Sequence, residues 1–456
     1  MRKIAVQGSL LALTMLAAVH CGSENQASSS SGTPGGTGGT AGSTTGGAGG
    51  AGGTGGAGGG ECMSNDKAIR LGKLVNPADG TVIEKAIVVV HDDRISYVGV
   101  DEKQIPCGAS VIDWTAFTGL PGLVDAHVHI TYQTDQEPGT DPWTHGWSLL
   151  NNEPYKFMDL TRSAALATLK TGVTTVIDKG GVDFILTYLR DEIIAGKTPG
   201  PRMYASLGGI SNYKYPTPFT AEELKAQVQI QVLRGADLVK VWADECSDDT
   251  LECSPKFTFE DLKVLVDTAH AEGLPIAIHA YHEDTAKLVI MAGPDSLEHA
   301  EGLDAADFGT LNSMGTVYVP TIDHNRYYKD NLALFGYAPE MAAKFDAYIQ
   351  ENLATAAAAH KAGVKMAMGS DAVFTGFGEN TRELAWFVQA GMTPLEALRA
   401  ATIHGAESIG VQNEVGKVAV GYYADIIAVE GDPLADINVV INDVRKVMMG
   451  GKVAEF

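Results

Sequence analysis

The chain has 456 residues, 45% of them hydrophobic, and carries 56 acidic against 33 basic side chains for a net charge of −23. That apolar content supports a large core and more than one domain. So acidic a balance argues against nucleic acid or an anionic membrane surface as the main partner, and its plain meaning is a solvated surface.

At the N-terminus, Arg2 and Lys3 precede an apolar run from Leu10 to Val19. The run is too short to span a bilayer and has the length of a secretory h-region, so residues 1–20 read as a signal peptide. Cys21-Gly22-Ser23 follows, which resembles a bacterial lipoprotein signal with the lipid on Cys21. His20 stands where a small residue is expected, which keeps plain secretion or a periplasmic location as the alternative. Contact with a membrane is expected only through that anchor. Residues 21–61 are mostly Gly, Ala, Thr and Ser and form a tether, because they cannot bury enough apolar area to fold.

Residues 62–118 read as short strands and turns, among them Ala86–His91 and Ile95–Val100. Four cysteines follow the tether: Cys62, Cys107, Cys246 and Cys253. In an oxidising compartment the local pairing is Cys246 with Cys253, leaving Cys62 with Cys107.

From 119 to 409 short apolar strands alternate with helical stretches such as Phe259–Gly273 and Pro339–Gly363. Strand ends fall near His129, Asp178, Ser206, Trp242, His279, His299, Thr321 and Asp371. Eight such units predict an α/β (β/α)8 barrel, and no Gly-x-Gly-x-x-Gly turn supports an open doubly wound sheet. Polar residues collect at the strand ends, which form the active face of a barrel. His127 and His129 stand two apart on one strand and so point the same way, as shared metal ligands must. Lys240 interrupts the apolar run Leu238-Val239-Lys240-Val241-Trp242, where a plain lysine fits badly. His279, His299 and Asp371 close three further strands. His282, His324 and His360 lack that placement and read as non-ligands, and His404 as structural. Thr321–Tyr328, with Arg326, reads as a surface loop, and Phe374–Gly378 as a loop lining the pocket. Residues 410–456 return to strand character and are expected to join 62–118 in one small β domain.

Together Pro121–His129, Gly369-Ser370-Asp371 and Gly416–Asp425 resemble the amidohydrolase superfamily, and the likeness covers nearly everything after the tether. His279-Ala280-Tyr281, Gly293 and Leu297-Glu298-His299 are similar to its prolidase-like and imidazolonepropionase-related members. The resemblance implies a (β/α)8 barrel with a β-sandwich built from the N- and C-terminal segments. It further implies two divalent ions, zinc or else manganese or iron. His127, His129 and Asp371 would hold one, His279 and His299 the other, and Lys240 would bridge them as a carboxylated lysine. A hydroxide between the ions would attack the amide bond of a dipeptide such as Xaa-Pro, or of an N-acyl amino acid, with Asp371 as general base. Tyr281 would either hydrogen-bond the oxyanion or simply pack. A lactonase or phosphotriesterase-like activity on the same site is the alternative chemistry. A cell-surface binding protein that has lost catalysis is the alternative class. The partner expected is a small-molecule substrate, with self-association left open.

Overall fold

The computed structural model describes residues 64–135, 141–212, 217–247 and 251–456. The expected signal peptide, Cys21 anchor and tether lie outside the described residues. Among the described residues no helix is long and apolar enough to cross a membrane.

The first strands are β1 (Lys67–Val75), β2 (Val82–Glu84), β3 (Ile87–His91), β4 (Arg94–Gly99) and β5 (Ser110–Pro121). The barrel region holds β6 (Leu123–Val128), β7 (Val173–Asp178), β8 (Arg202–Ala205), β9 (Ile210–Ser211) and β10 (Val239–Trp242). A hairpin, β11 (Asp244–Cys246) and β12 (Cys253–Pro255), precedes β13 (Ile276–Ala280), β14 (Ser296–His299) and β15 (Val317–Val319). The chain closes with β16 (Ile426–Val429), β17 (Val444–Met449) and β18 (Lys452–Val453).

N- and C-terminal segments share one sheet in the order β18-β17-β16-β5-β1-β3-β4, with β2 paired to β1. Ile69, Val88, Ile95, Trp114, Ala428 and Met448 belong to one buried apolar cluster. Arg94 of β4 bridges to Tyr423 and Ile95 N donates to the Tyr422 carbonyl at 2.9 Å, so the sheet edge at β4 returns to the chain just before β16 and curls over this core. After Gly122, β5 runs on into β6, so the first barrel strand is a continuation of the sheet. Tyr423 ties the two regions, with the guanidinium groups of Arg94 and Arg202 each 3.4 Å from its ring centroid. Such cation–π contacts favour a stacked arginine over a lysine.

The barrel strands are parallel: β6-β7-β8 form one run and β9-β10-β13-β14-β15 another. All six residues of β6 are buried, as expected for a parallel strand covered on both faces. Val124, Ala126, Ile177, Leu238, Ala277, Val319 and Ala367 form a separate apolar cluster, the packed layer beneath the barrel mouth. The eighth strand, read from the sequence as Val364–Asp371, makes only isolated bridges, Tyr318 with Met366 and Val128 with Ala372. Two residues explain its irregularity. Asp371 has a left-handed backbone (φ 49°), and Gly369 passes so close to β15 and β6 that a Cβ there would lie 2.5 Å from Val319 Cγ1 and 2.8 Å from His127 Cβ. Gly369→Ala is expected to destabilise the fold by about 1–3 kcal/mol through overpacking. A urea midpoint equal to that of the wild type would show that the gap relaxes freely.

The stretch read as a surface loop after the seventh strand is instead a helix, Ile322–Asp330. It starts at Thr321, another left-handed residue (φ 51°). Arg326 sits on this helix with its guanidinium committed to Asp323 (2.7 Å), Asp330 (2.9 Å) and Glu379 (2.5 Å). It has no fork left for a substrate carboxylate. Cys246 and Cys253 face each other across the β11–β12 hairpin and form a disulfide. Cys107 is also disulfide-bonded; Cys62, its expected partner, lies outside the described residues.

Candidate metal centre

The end of β6 delivers His127, fully buried, and His129, 6% exposed. Each ring has one nitrogen committed outward. His127 Nδ1 lies 2.8 Å from Glu298 Oε2, and His129 Nδ1 lies 2.7 Å from the Gly180 carbonyl. Those acceptors require N–H at Nδ1, which leaves both Nε2 lone pairs free and fixes the tautomer. The two Nε2 atoms are 3.4 Å apart, and Asp371 Oδ1 stands 3.5 Å and 3.4 Å from them. Ligand atoms placed about 2.0–2.1 Å from a tetrahedral ion are separated by about 3.3 Å. The triangle His127, His129, Asp371 therefore fits a divalent metal ion. Among the described residues it is the one group in which three His, Cys, Asp or Glu ligand atoms lie within 4.8 Å of one another.

Lys240 on β10 is fully buried, and its Nζ lies 3.4 Å from His127 Nε2. Burial, opposed by the charge of Glu298, pushes its ammonium down to about 8. A lysine so placed is a poor cation and a competent nucleophile toward carbon dioxide, the chemistry that carbamate formation needs. His279 on β13 and His299 on β14 pack ring against ring at 4.5 Å, and His299 lies 5.0 Å from the His127 ring. His279 Nε2 is 3.2 Å from Asp244 Oδ1, and His299 Nδ1 is 2.7 Å from Thr321 Oγ1. These two histidines border the triangle without joining it. Tyr281 stacks on His299 at 4.5 Å and 11° and meets His279 edge-on at 5.0 Å. Burial drives its phenol well above its ordinary range, so it stays a neutral donor.

Burial is also the largest cause of the depressed basicity of the imidazoles. It holds His127 and His299 well below their ordinary range and His129 at about 4. Neutral imidazole is the metal-binding form, so the site is poised for ions rather than protons. Three of its backbones are strained: His299 (φ 71°), Thr321 (φ 51°) and Asp371 (φ 49°) are all left-handed. Conformations this costly for residues with a side chain persist where surrounding structure enforces them.

Sequence reasoning missed several neighbours. His324, read as a non-ligand away from any strand end, places Nε2 3.2 Å from Asp371 Oδ2; it reaches the mouth because the Ile322–Asp330 helix begins there. Lys179, one residue beyond β7, is fully buried and donates to Ser296 Oγ at 3.1 Å and to Glu298 Oε1. Glu298 is fully buried as well and joins this lysine to His127. The clue for Lys179 was the same one that exposed Lys240, a lysine set against an apolar strand. His282 is exposed and caps the following helix, accepting from Asp284 N, and His404 Nδ1 meets the Met366 carbonyl at 2.8 Å.

A parallel barrel whose mouth gathers two histidines and an aspartate around one point defines a metal-dependent hydrolase. Residues 118–454 match the family model described as "Amidohydrolase family", and the chain belongs to that family. It is 30% identical over 420 residues to ochratoxinase of Aspergillus niger, an alignment spanning 83% of this chain and 85% of that one. It is 26% identical over 394 residues to imidazolonepropionase of Maricaulis maris, spanning 78% and 90%. A solved Xaa-Pro dipeptidase with bound methionine in its active site superposes with a TM-score of 0.74 at 28% identity, covering 86% of this chain and all of that one. The chain is accordingly an enzyme acting on carbon–nitrogen bonds, with a TIM-type barrel and a small-molecule substrate.

Proposed function

We propose that this enzyme is a binuclear hydrolase of amide bonds in dipeptides, Xaa-Pro among them, or in N-acyl amino acids. The observation that carries the reading is a buried Lys240, 3.4 Å from a histidine of the metal triangle, in a pocket where a plain ammonium would repel any cation. His127, His129 and Asp371 would hold one ion, His279 and His299 the second, with carboxylated Lys240 between them. Zinc suits this nitrogen and oxygen set, as do manganese and iron. When bound, such ions polarise a carbonyl and lower the pKa of water towards neutrality.

The chain's own residues supply the rest. Asp371, its Oδ1 turned to the histidines and its Oδ2 to His324, takes a proton from water and passes it to the leaving amine. Tyr281 keeps its proton and donates to the developing oxyanion. His324 steadies the carboxylate through its Oδ2. We further propose that the enzyme is exported and lipid-anchored through Cys21. The Cys246–Cys253 disulfide supports export, because such bonds persist outside the reducing cytosol.

Elemental analysis of wild type and Lys240→Ala, purified in parallel with bicarbonate, tests the metal reading. About two ions per chain in the wild type and a clear loss in the variant are expected. One ion in both would remove the bridge and leave a mononuclear enzyme.

A further inference from the structure

Of the four histidines assigned to the two ions, three turn Nδ1 outward. His127 Nδ1 meets Glu298, His129 Nδ1 the Gly180 carbonyl and His299 Nδ1 the Thr321 hydroxyl. His279 differs: its outward contact is made by Nε2, 3.2 Å from Oδ1 of Asp244. We infer that Asp244 is a positioning residue for the second ion, holding the proton of His279 on Nε2 and so leaving the Nδ1 lone pair to bind metal. The inference deepens the binuclear reading proposed above and rests on it.

Asp244 lies four residues past Lys240, where β10 passes into the β11–β12 hairpin, and is 3% exposed. Its place is fixed from three sides. Within the hairpin it pairs with Pro255, two residues before the Cys246–Cys253 disulfide that closes the ladder. The residue before it, Ala243, donates to the His279 carbonyl at 2.9 Å and accepts from Lys256 N at 2.8 Å. Asp244 Oδ2 accepts from the backbone N–H of Tyr281 at 2.9 Å and of His282 at 3.2 Å. One carboxylate therefore holds the turn that leaves β13 and faces the imidazole beside that turn.

The two oxygens are used differently. Oδ2 is satisfied by its two backbone donors. Oδ1 is buried, and among the described residues no donor is bonded to it; the group it faces is His279 Nε2. A buried acceptor left without a donor is costly, so this carboxylate favours the tautomer with N–H at Nε2. Neutral imidazole carries one N–H and one lone pair, and that tautomer puts the lone pair on Nδ1. Metal-bound histidines commonly donate their other ring nitrogen to a carboxylate, which fixes both tautomer and ring orientation. Asp244 thus stands to His279 as Glu298 stands to His127, with the two nitrogens exchanged. Because it also sets the backbone of Tyr281, a ligand of the second ion and the proposed oxyanion donor share one support.

Asp244→Asn is the discriminating variant. The asparagine oxygen can keep the backbone donors of Tyr281 and His282, which turns the amide nitrogen toward His279 Nε2. A donor there draws the lone pair to Nε2 and moves the proton to Nδ1, so a near-isosteric change selects the wrong tautomer. Full-length protein purified with bicarbonate is titrated with zinc against a competing chelator, and the ions bound per chain are counted. The wild type is expected to bind two. Asp244→Asn is expected to weaken one of them about 10- to 100-fold, the usual cost of losing the outer partner of a metal-bound histidine, and to leave the other within about threefold. In His279→Ala, which lacks the ring, adding Asp244→Asn is expected to change neither affinity further. Two ions at wild-type affinity in Asp244→Asn, or an equal additional loss in the His279→Ala background, would overturn the inference while the binuclear reading stands. A single ion in the wild type removes the binuclear reading and this inference with it. Nitrogen NMR of the zinc-loaded wild type, labelled in its histidines, gives a test that needs no Asp244 variant. The His279 ring, assigned by its absence in His279→Ala, is expected to carry its proton on Nε2, and a proton on Nδ1 sinks the idea.

Discussion

Lys179→Met is expected to lower the unfolding free energy by about 3–5 kcal/mol, the usual cost of leaving one member of a buried ion pair without its partner. Lys179 and Glu298 are both wholly inaccessible to solvent, and Ser296 completes the cluster with its hydroxyl 2.6 Å from Glu298 Oε1. Methionine matches the length of the lysine stem and removes only the charge and its donors. What remains is a buried carboxylate that has lost its direct ion-pair partner and has a histidine Nδ1 to serve. Urea denaturation with a chelator present isolates this term from the stabilisation that bound metal adds. The double variant Lys179→Met/Glu298→Gln keeps an acceptor for His127 Nδ1 but no orphaned charge. It is expected to recover much of the loss, a non-additivity that identifies the pair. A cost below about 1 kcal/mol for Lys179→Met would mean that the pair contributes little to the fold.

Asp371→Asn is expected to reduce kcat by about 10²- to 10⁴-fold, the range for removing a general acid–base group. Asparagine is nearly isosteric and can still face His127 and His129 through its carbonyl oxygen, but it cannot carry the proton. Because Asp371 belongs to the metal triangle, the rate must be read beside the metal content of the same sample. A large fall in kcat at full metal content assigns the proton transfer to Asp371. A fall in step with lost metal makes it a ligand above all. A rate within tenfold of wild type at full metal content sinks the proton role.

Most of the barrel was legible because apolar runs ended in polar side chains. Val124 to His129, Val239 to Trp242 and Ser296 to His299 each carry the alternation or continuous burial that a barrel strand demands. The ligand-type residues at those ends were legible for the same reason. His324 was hidden because its position depends on a tertiary event, the left-handed turn at Thr321 that starts a helix over the mouth. Periodicity carries no sign of such a turn, and threonine is an unusual residue for it. Glu298 was in view beside His299 but not its job, since the partner that defines it, His127, is 171 residues away in the chain. The aromatic cluster in which Trp143 meets Tyr132 and Phe374 edge-to-face was half legible. Phe374 follows Asp371 closely in sequence, whereas Tyr132 and Trp143 belong to the segment after the first strand and meet it only in space.

The left-handed backbones at His299, Thr321 and Asp371 bear on how this enzyme can be altered. At each of these positions glycine would relieve conformational strain of on the order of 1 kcal/mol or more. A library sorted for heat resistance alone would thus be drawn toward replacements that erase the reactive groups. Hardening this protein for use requires a sort that scores turnover in the same round, with those three codons held constant and the search directed to the outer helices.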